Sequence, residues 1–431
     1  MHNYPQDSGP ISSGNSGGNS QGWQGIGQPV ASGGSPQWDM GHPAMFGADG
    51  RPSGQPQRRR RSLVVTLGAI FLIPAILWAL VFIPVPYIVH SPGPTIDLLG
   101  KEMSEETVIA ISGNDPNTGQ SVVLDPEHQN GDGKGQLRMT TVSESGGPGR
   151  RLNSIQLLFG LADQRNSVIP YGDVYPEEIT EEQVAQAAEY QMSASHSTSS
   201  VAALESLGWE LPAKVVIEEA VPGSHAVDVV QSGDVLKTLT TPDGTVHPVD
   251  SAAVPFAVMR TVAPDSEMKV LVERGGKDVE LTIRSVAPQE DPKEEGSKLG
   301  IFLNPQVEMP VEISISLENI GGPSAGMMFA LGIIDRLTPG DMTGGVAIAG
   351  TGGIGYDGVV SPIGGIRQKM WGAKDDGAQW FLAPTKNCDE VVGHIPEGLK
   401  VTKVGTLDEA RHAVDMIAQG KGDSLPQCTA P

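Results

Sequence analysis

From Leu63 to Val85 the chain reads "LVVTLGAIFLIPAILWALVFIPV", without one charged residue. A helix rising about 1.5 Å per residue over that length crosses the roughly 30 Å hydrocarbon layer of a bilayer. A buried soluble helix this long would show a polar face, and this run has none. A secretory leader has a shorter apolar region and a shorter charged start. No small-x-small cleavage pattern follows either, because the chain continues "PYIVHSPG". The expectation is one transmembrane helix over residues 62–85, with Pro74 as a kink of the kind membranes tolerate. Arg58 to Arg61 precede it directly and should stay cytoplasmic. That orientation makes a single-pass cell-membrane protein with residues 86–431 outside the cytoplasm.

Residues 1–57 are rich in Gly, Ser, Pro, Gln and Asn. They hold too few apolar groups to offset the entropy of ordering, so residues 1–61 read as a disordered cytoplasmic tail. Across the chain 29 Lys and Arg face 51 Asp and Glu, a formal charge of −22. That balance repels phosphates and argues against nucleic acid as a partner. The two cysteines, Cys388 and Cys428, make no C-x-x-C pair. Neither they nor any H-E-x-x-H motif suggest a metal site. They read as two free or buried thiols, or as one disulfide if the C-terminal part lies in an oxidising compartment.

Past the apolar run, "PYIVHSPGPTIDLLG" and "QLRMTTVSE" suggest strands, and "DPEHQNGDGKG" a solvated turn that lacks EF-hand spacing. A helix is expected from Thr180, where Gln183 completes a capping box, through "AQAAEYQM", with a second helix at "VAALESLG". Residues 207–288 alternate in period two around a helical "AAVPFAVMRTV".

The stretch "NIGGPSAGMMFALGIID", Asn319 to Asp335, sets Ser324 before an apolar helix expected over Ala325–Leu337. A helix N-terminus offers free amides and the positive end of its dipole to a developing oxyanion. Glycines 321, 322 and 326 allow close approach, and Pro323 fixes one dihedral. By position alone, Ser324 reads equally as an ordinary N-cap. Gly322-Pro-Ser324-Ala-Gly326 also fits the G-x-S-x-G elbow of α/β-hydrolases. The oxyanion loop that motif requires is missing, although His394 and His412 follow the serine. A lysine is the better partner. In the helix expected over 366–376, closed by Gly377, Ile366, Met370 and Ala373 share an apolar face, and Lys369 lies at its border. Burial lowers a lysine's pKa, which lets it serve as a general base.

Two resemblances follow from these motifs. "PGSHA" at 222–226, "SGDV" at 232–235, Asp243-Gly244 and Arg274-Gly275-Gly276 together resemble a PDZ domain of the bacterial protease type. That implies a β-sandwich-like unit binding an extended peptide at a sheet edge, with its carboxylate loop at Leu207, Gly208 and Trp209. "GGPSAG", "AGTGG", "PIGGIRQK" and "APTKN", in that order, resemble the Lon-type serine protease domain. This resemblance implies Ser324 as nucleophile, Lys369 as base and Thr351 in support, flanked by Gly322, Pro323 and Ala325, with no cofactor. The family's Glu falls on Gly353, and Ser361 stands where Gly is commoner. No G-x-x-x-x-G-K-[ST] occurs in the chain. One membrane helix, a PDZ unit and a Lon-type domain together resemble the membrane-anchored branch of the family that lacks an ATPase.

The expected fold class is therefore α+β: a single transmembrane helix, then an α/β ectodomain segment over 86–206, a PDZ insertion over 207–288 and a Lon-type proteolytic domain over 289–425. The implied function is ATP-independent cleavage of unfolded or tagged extracytoplasmic proteins, with a homo-oligomer, a hexamer, implied by the same resemblance. The alternative is a PDZ adaptor whose protease-like domain is inactive.

Overall fold

The computed structural model describes residues 70–429, except 77, 101–106, 120, 123–134, 177, 289–294, 318 and 319. The tail expected over 1–61 and the turn at 125–135, save its last residue, lie outside these, as do residues 62–69 of the apolar run. Residues 70–76 and 78–82 are helical, and Ile70, Phe71, Leu72, Ile73, Trp78 and Phe82 are all exposed. Among the described residues no helix is long and apolar enough to cross a membrane.

A six-stranded mixed sheet organises the rest. Its strands are β1 (Tyr87–Asp97), β3 (Gln136–Ser145), β4 (Ser167–Pro170), β12 (Ala347–Gly350), β15 (Trp380–Pro384) and β16 (Lys400–Val404), in the order β16-β15-β12-β3-β1-β4. Residues 86–206 thus share one sheet with the C-terminal part and form no separate layer. β12 runs parallel to both β3 and β15, whereas β1 pairs antiparallel with β3 and β4. β2 (Ile109–Gly113) pairs with β11 (Val311–Ile315) beside it.

Six helices matter for the site and its surroundings. α1 (Ser154–Ala162) and α2 (Glu181–Ser206) precede α3 (Val254–Thr261), α4 (Gly326–Leu337), α5 (Ile366–Asp375) and α6 (Leu407–Ala418). The capping box at Thr180 and Gln183 is formed. The break expected after "AQAAEYQM" is absent, and α2 continues for 26 residues. Thr198, Ser199 and Ser200 return their hydroxyl protons to carbonyls one turn back. Those bonds satisfy the side chains inside the helix, and the buried residues Met192, Ser195 and Ser199–Leu204 supply the packing that serine propensity does not. α4 lies in the core with α2 and α6 as neighbours. Its Met327, Met328, Phe329, Leu331, Ile333 and Ile334 are fully buried, each worth about 1.5–3 kcal/mol against exposure.

A second sheet has the order β10-β5-β6-β8-β9, from β5 (Ala213–Ala220), β6 (Val235–Thr240), β8 (Glu267–Arg274), β9 (Lys277–Arg284) and β10 (Ile301–Val307), with β7 (Val246–Pro248) on β6. Alternation predicts most of these strands. β10 comes from beyond the boundary at 288 and closes the sheet against β5.

α5 is clamped to β1. Asp376 at its end accepts from both the backbone N–H and the hydroxyl of Thr95, each at 2.8 Å. A Cβ placed on Gly372 would sit 2.4 Å from the carbonyl oxygen of Gly93, so helix and strand cross at a point where only glycine fits.

Candidate active site

Ser324 stands in a turn between Gly322 and the first residue of α4. Gly322 has φ of 100°, a left-handed conformation that explains the glycine there. The helix starts at Gly326, one residue later than the sequence pattern suggests, and Ala325 occupies the cap position. The Ser324 carbonyl accepts from the Gly352 N–H at 2.8 Å and from the Thr351 hydroxyl at 2.9 Å. The Met327 N–H donates back to the Gly352 carbonyl at 3.0 Å. The serine turn is thereby tied to the segment that leaves the end of β12.

Gly365 caps the start of α5 with a φ of 71° that turns the chain into the helix, and α5 aims Lys369 at the same point. Lys369 Nζ lies 2.7 Å from Ser324 Oγ and 2.9 Å from Thr351 Oγ1. The Thr351 hydroxyl has one proton, which it gives to the Ser324 carbonyl, so towards Lys369 it acts as an acceptor. Lys369 is 3% exposed, and burial brings its pKa from the usual 10.5 down to about 8. The apolar face of α5 is as the sequence predicts, with Ile366, Met370 and Ala373 fully buried.

A cleft of about 570 Å³ opens in front of Ser324 and Lys369. One wall is Ile320–Gly322 with Ala325; the other is Met139–Glu144 of β3. β12 accompanies β3 only from Gln136 to Met139. Beyond Met139, β3 keeps β1 on one side and exposes its other edge to the cleft. Glu144, at the far end, accepts from the Tyr175 hydroxyl at 2.7 Å and faces His90 Nε2 at 3.1 Å. The His90 contact, the largest influence, holds the Glu144 carboxyl below its ordinary pKa, with the Tyr175 bond adding to it.

Ser324, Lys369 and Thr351 are therefore brought together, with Gly322 and Ala325 lining the same cleft and Pro323 between them. Leu207, Gly208 and Trp209 are not at a peptide groove. Leu207 caps the C-terminus of α2, and Trp209 is buried in the core that contains α4. The apolar hollow beside the second sheet lies instead between α3 and the start of β10, lined by Phe256, Met259, Leu299 and Ile301. His394 is exposed and faces the Val392 carbonyl at 3.1 Å. Neither His394 nor His412 lines the cleft. Among the described residues no cluster of His, Cys, Asp and Glu is placed to hold a metal ion.

Two features were not legible in the sequence. The β3 wall has no motif, because nothing in local spacing joins residue 140 to residue 324. The departure at Gly353 has a partner: β13 (Gly353–Ile354) pairs with β14 (Val360–Ser361), which sets Gly353 against Ser361, and a Cβ on Gly353 would meet Ser361 Oγ at 2.3 Å. The serine hydroxyl fills the space a longer side chain at 353 would need.

The arrangement is that of a serine hydroxyl paired with a buried lysine amine. Comparison with known proteins narrows it. Residues 314–415 match the Lon protease (S16) C-terminal proteolytic domain, and such a domain is present in this chain. The Lon protease of Lachnoclostridium phytofermentans is 38% identical over 97 residues, which is 22% of this chain and 12% of that protein. Lon protease 2 of Bacillus subtilis is 37% identical over 92 residues, 21% of this chain and 16% of that protein. The chain thus matches only a small share of either relative. A solved PDZ domain of the SdrC-like protein from Listeria monocytogenes aligns with 21% of this chain and 86% of its own, at 20% identity and a TM-score of 0.18, too low to argue from.

Proposed function

We propose that this protein is a membrane-anchored serine endopeptidase acting on extracytoplasmic polypeptides through Ser324 and Lys369. The observation that carries the reading is the buried Lys369 amine 2.7 Å from Ser324 Oγ, inside a matched proteolytic domain. Neutral Lys369 takes the Ser324 proton as Oγ attacks the scissile carbonyl, and it returns that proton to the leaving amine. Water then hydrolyses the acyl-enzyme by the same route. Thr351 orients the lysine and fixes the serine turn. The Met327 amide is already used, so the oxyanion falls to the amides that precede it, at Ser324–Gly326. An extended substrate adds as a strand along the edge of β3 that β12 vacates.

The chain has no ATP-binding loop of the P-loop type, so cleavage is confined to segments already unfolded or exposed. The second sheet serves as the PDZ unit, recruiting or gating such segments at the hollow beside α3. Anchoring rests on the exposed apolar side chains of Ile70–Ile73, Trp78 and Phe82 and on the charge-free run that contains them. The disulfide between Cys388 and Cys428 suits an extracytoplasmic compartment. Assembly into a hexamer is carried over from the family resemblance as part of the proposal.

The test offers an unfolded protein to the detergent-solubilised chain beside Ser324→Ala and Lys369→Ala. Cleavage by the wild type and loss in both variants is expected. No cleavage by the wild type selects the adaptor reading, and activity that survives Lys369→Ala but needs His394 or His412 selects a hydrolase triad. A reporter fused after Pro431 should be active only outside the cytoplasm; cytoplasmic activity overturns the orientation.

A further inference from the structure

α1 is a nine-residue helix, "SIQLLFGLA", that turns its largest apolar side chains to solvent. Leu158 is 60% exposed, Phe159 74% and Leu161 60%. Its only buried residue is Gly160, where a Cβ would meet Val89 of β1 at 2.7 Å. The helix therefore rests its smallest residue on the sheet. At about 100° per residue, Ile155, Leu158, Phe159, Leu161 and Ala162 fall within one arc of the opposite side. A monomer gains nothing from that arrangement in water, because the same residues facing the sheet would remove their apolar surface from solvent.

What covers the face is indicated by its neighbours. The segment that follows the apolar helical residues 70–76 and 78–82 is bonded directly to the start of α1. The Val85 N–H donates to the Leu152 carbonyl at 2.8 Å, and Pro84 bridges to Asn153, the N-cap residue of α1. Backbone contacts therefore hold the start of α1 next to the segment that leaves the apolar residues. Arg150 and Arg151 precede α1 with Leu152 and Asn153 between, and both are exposed on a chain of strongly negative net charge. Arg150 Nε lies 3.9 Å from Glu181 at a solvent-exposed pair, and the Arg151 guanidinium lies over the Tyr171 ring. A short helix with an apolar outer face and basic residues just ahead of it suits the boundary between headgroups and acyl chains.

We propose that α1 is a second membrane contact: an interfacial helix that sinks Leu158, Phe159 and Leu161 into the outer leaflet while Arg150 and Arg151 meet lipid phosphates. This rests on the membrane-anchored reading above. It adds that the catalytic part is held on the bilayer in one orientation and does not swing freely from a single tether.

The two native cysteines are joined to each other, so introduced thiols can be labelled selectively. Full-length Leu158→Cys, Phe159→Cys and Leu161→Cys, each carrying an environment-sensitive fluorophore, are reconstituted into phosphatidylcholine vesicles containing phosphatidylglycerol. Val246→Cys, exposed on β7, is the control. Cleavage of an unfolded protein, or the circular dichroism of the wild type, confirms that each variant is folded. The expected result is a blue shift at 158, 159 and 161, quenching by brominated lipid and loss of quenching by aqueous iodide, with the opposite pattern at 246. Quenching by iodide at all three positions in chains that float with vesicles overturns the proposal and leaves the anchor standing. Protection from both quenchers overturns it in favour of a second copy of this chain on that face. Failure to float with vesicles removes the anchor and this contact together.

Discussion

At pH 7 most Lys369 side chains, with a pKa of about 8, carry a proton, and a protonated amine cannot accept one from Ser324. Peptide cleavage should therefore rise with pH and level off above an inflection near 8. A profile flat from pH 6 to 9 would exclude Lys369 as the base. The same burial costs stability. The unfolded chain holds its lysine proton up to about 10.5 and the folded chain only to about 8, so the penalty is full below 8 and vanishes as pH rises past 10.5. Lys369→Met should abolish cleavage and stabilise the fold at pH 7, by at most about 3 kcal/mol in urea unfolding. A variant less stable than the wild type would contradict that account. In the proposed mechanism Thr351 positions Lys369. Thr351→Val removes both the acceptor at Lys369 and the donor to the Ser324 carbonyl, and kcat should fall about tenfold or more, while Thr351→Ser restores most of it. Equal loss in both variants would point to packing of the methyl group.

α4 and α5 were legible as elements, because an apolar run after "GGPS" and an amphipathic run before Gly377 specify helices by pattern alone. Their meeting was legible only through the family resemblance, since periodicity places Lys369 on a border and does not say what faces it. The continuity of α2 was hidden: the serine- and threonine-rich stretch between the two expected helices has low helix propensity, and its hydroxyls bonded one turn back and its buried face carry it. Leu207, Gly208 and Trp209 misled for a related reason. Trp209 departs from the aliphatic residue or Phe usual in such a loop, and here the tryptophan is packed in the main core, while the hollow beside α3 is walled by Leu299 and Ile301. The Gly93–Gly372 crossing left no sequence signal, because two glycines in a chain with 55 of them attract no notice. It is testable at the scale of the element. Gly372→Ala should push α5 off β1, destabilising the protein by about 1–3 kcal/mol and lowering kcat as Lys369 moves from Ser324. Unchanged stability and activity would show that the crossing has slack.

Across the whole molecule, the C-terminal tail is fastened by the bond between Cys388 and Cys428, whose separation in sequence is 40 residues. Cys428 packs against the buried cluster that contains Ile366 and Met370, so the bond supports the core on which α5 rests. Loop-closure entropy puts its contribution at about 4 kcal/mol. Cys388→Ser should lower the unfolding free energy by that order, read from urea midpoints; an unchanged midpoint would mean the tail is held without it.

β1 starts a few residues after the apolar helix, and its Gly93 touches the helix that carries Lys369. If that apolar segment sits in a bilayer, the Lys369 amine, the base of the proposed mechanism, keeps a nearly constant height above the lipid, set by one strand. Encounter with a membrane-bound substrate then becomes a search in two dimensions. Turnover of such a substrate follows its density in the bilayer, and diluting the vesicles leaves it unchanged, whereas a freely diffusing chain is cut in proportion to its bulk concentration.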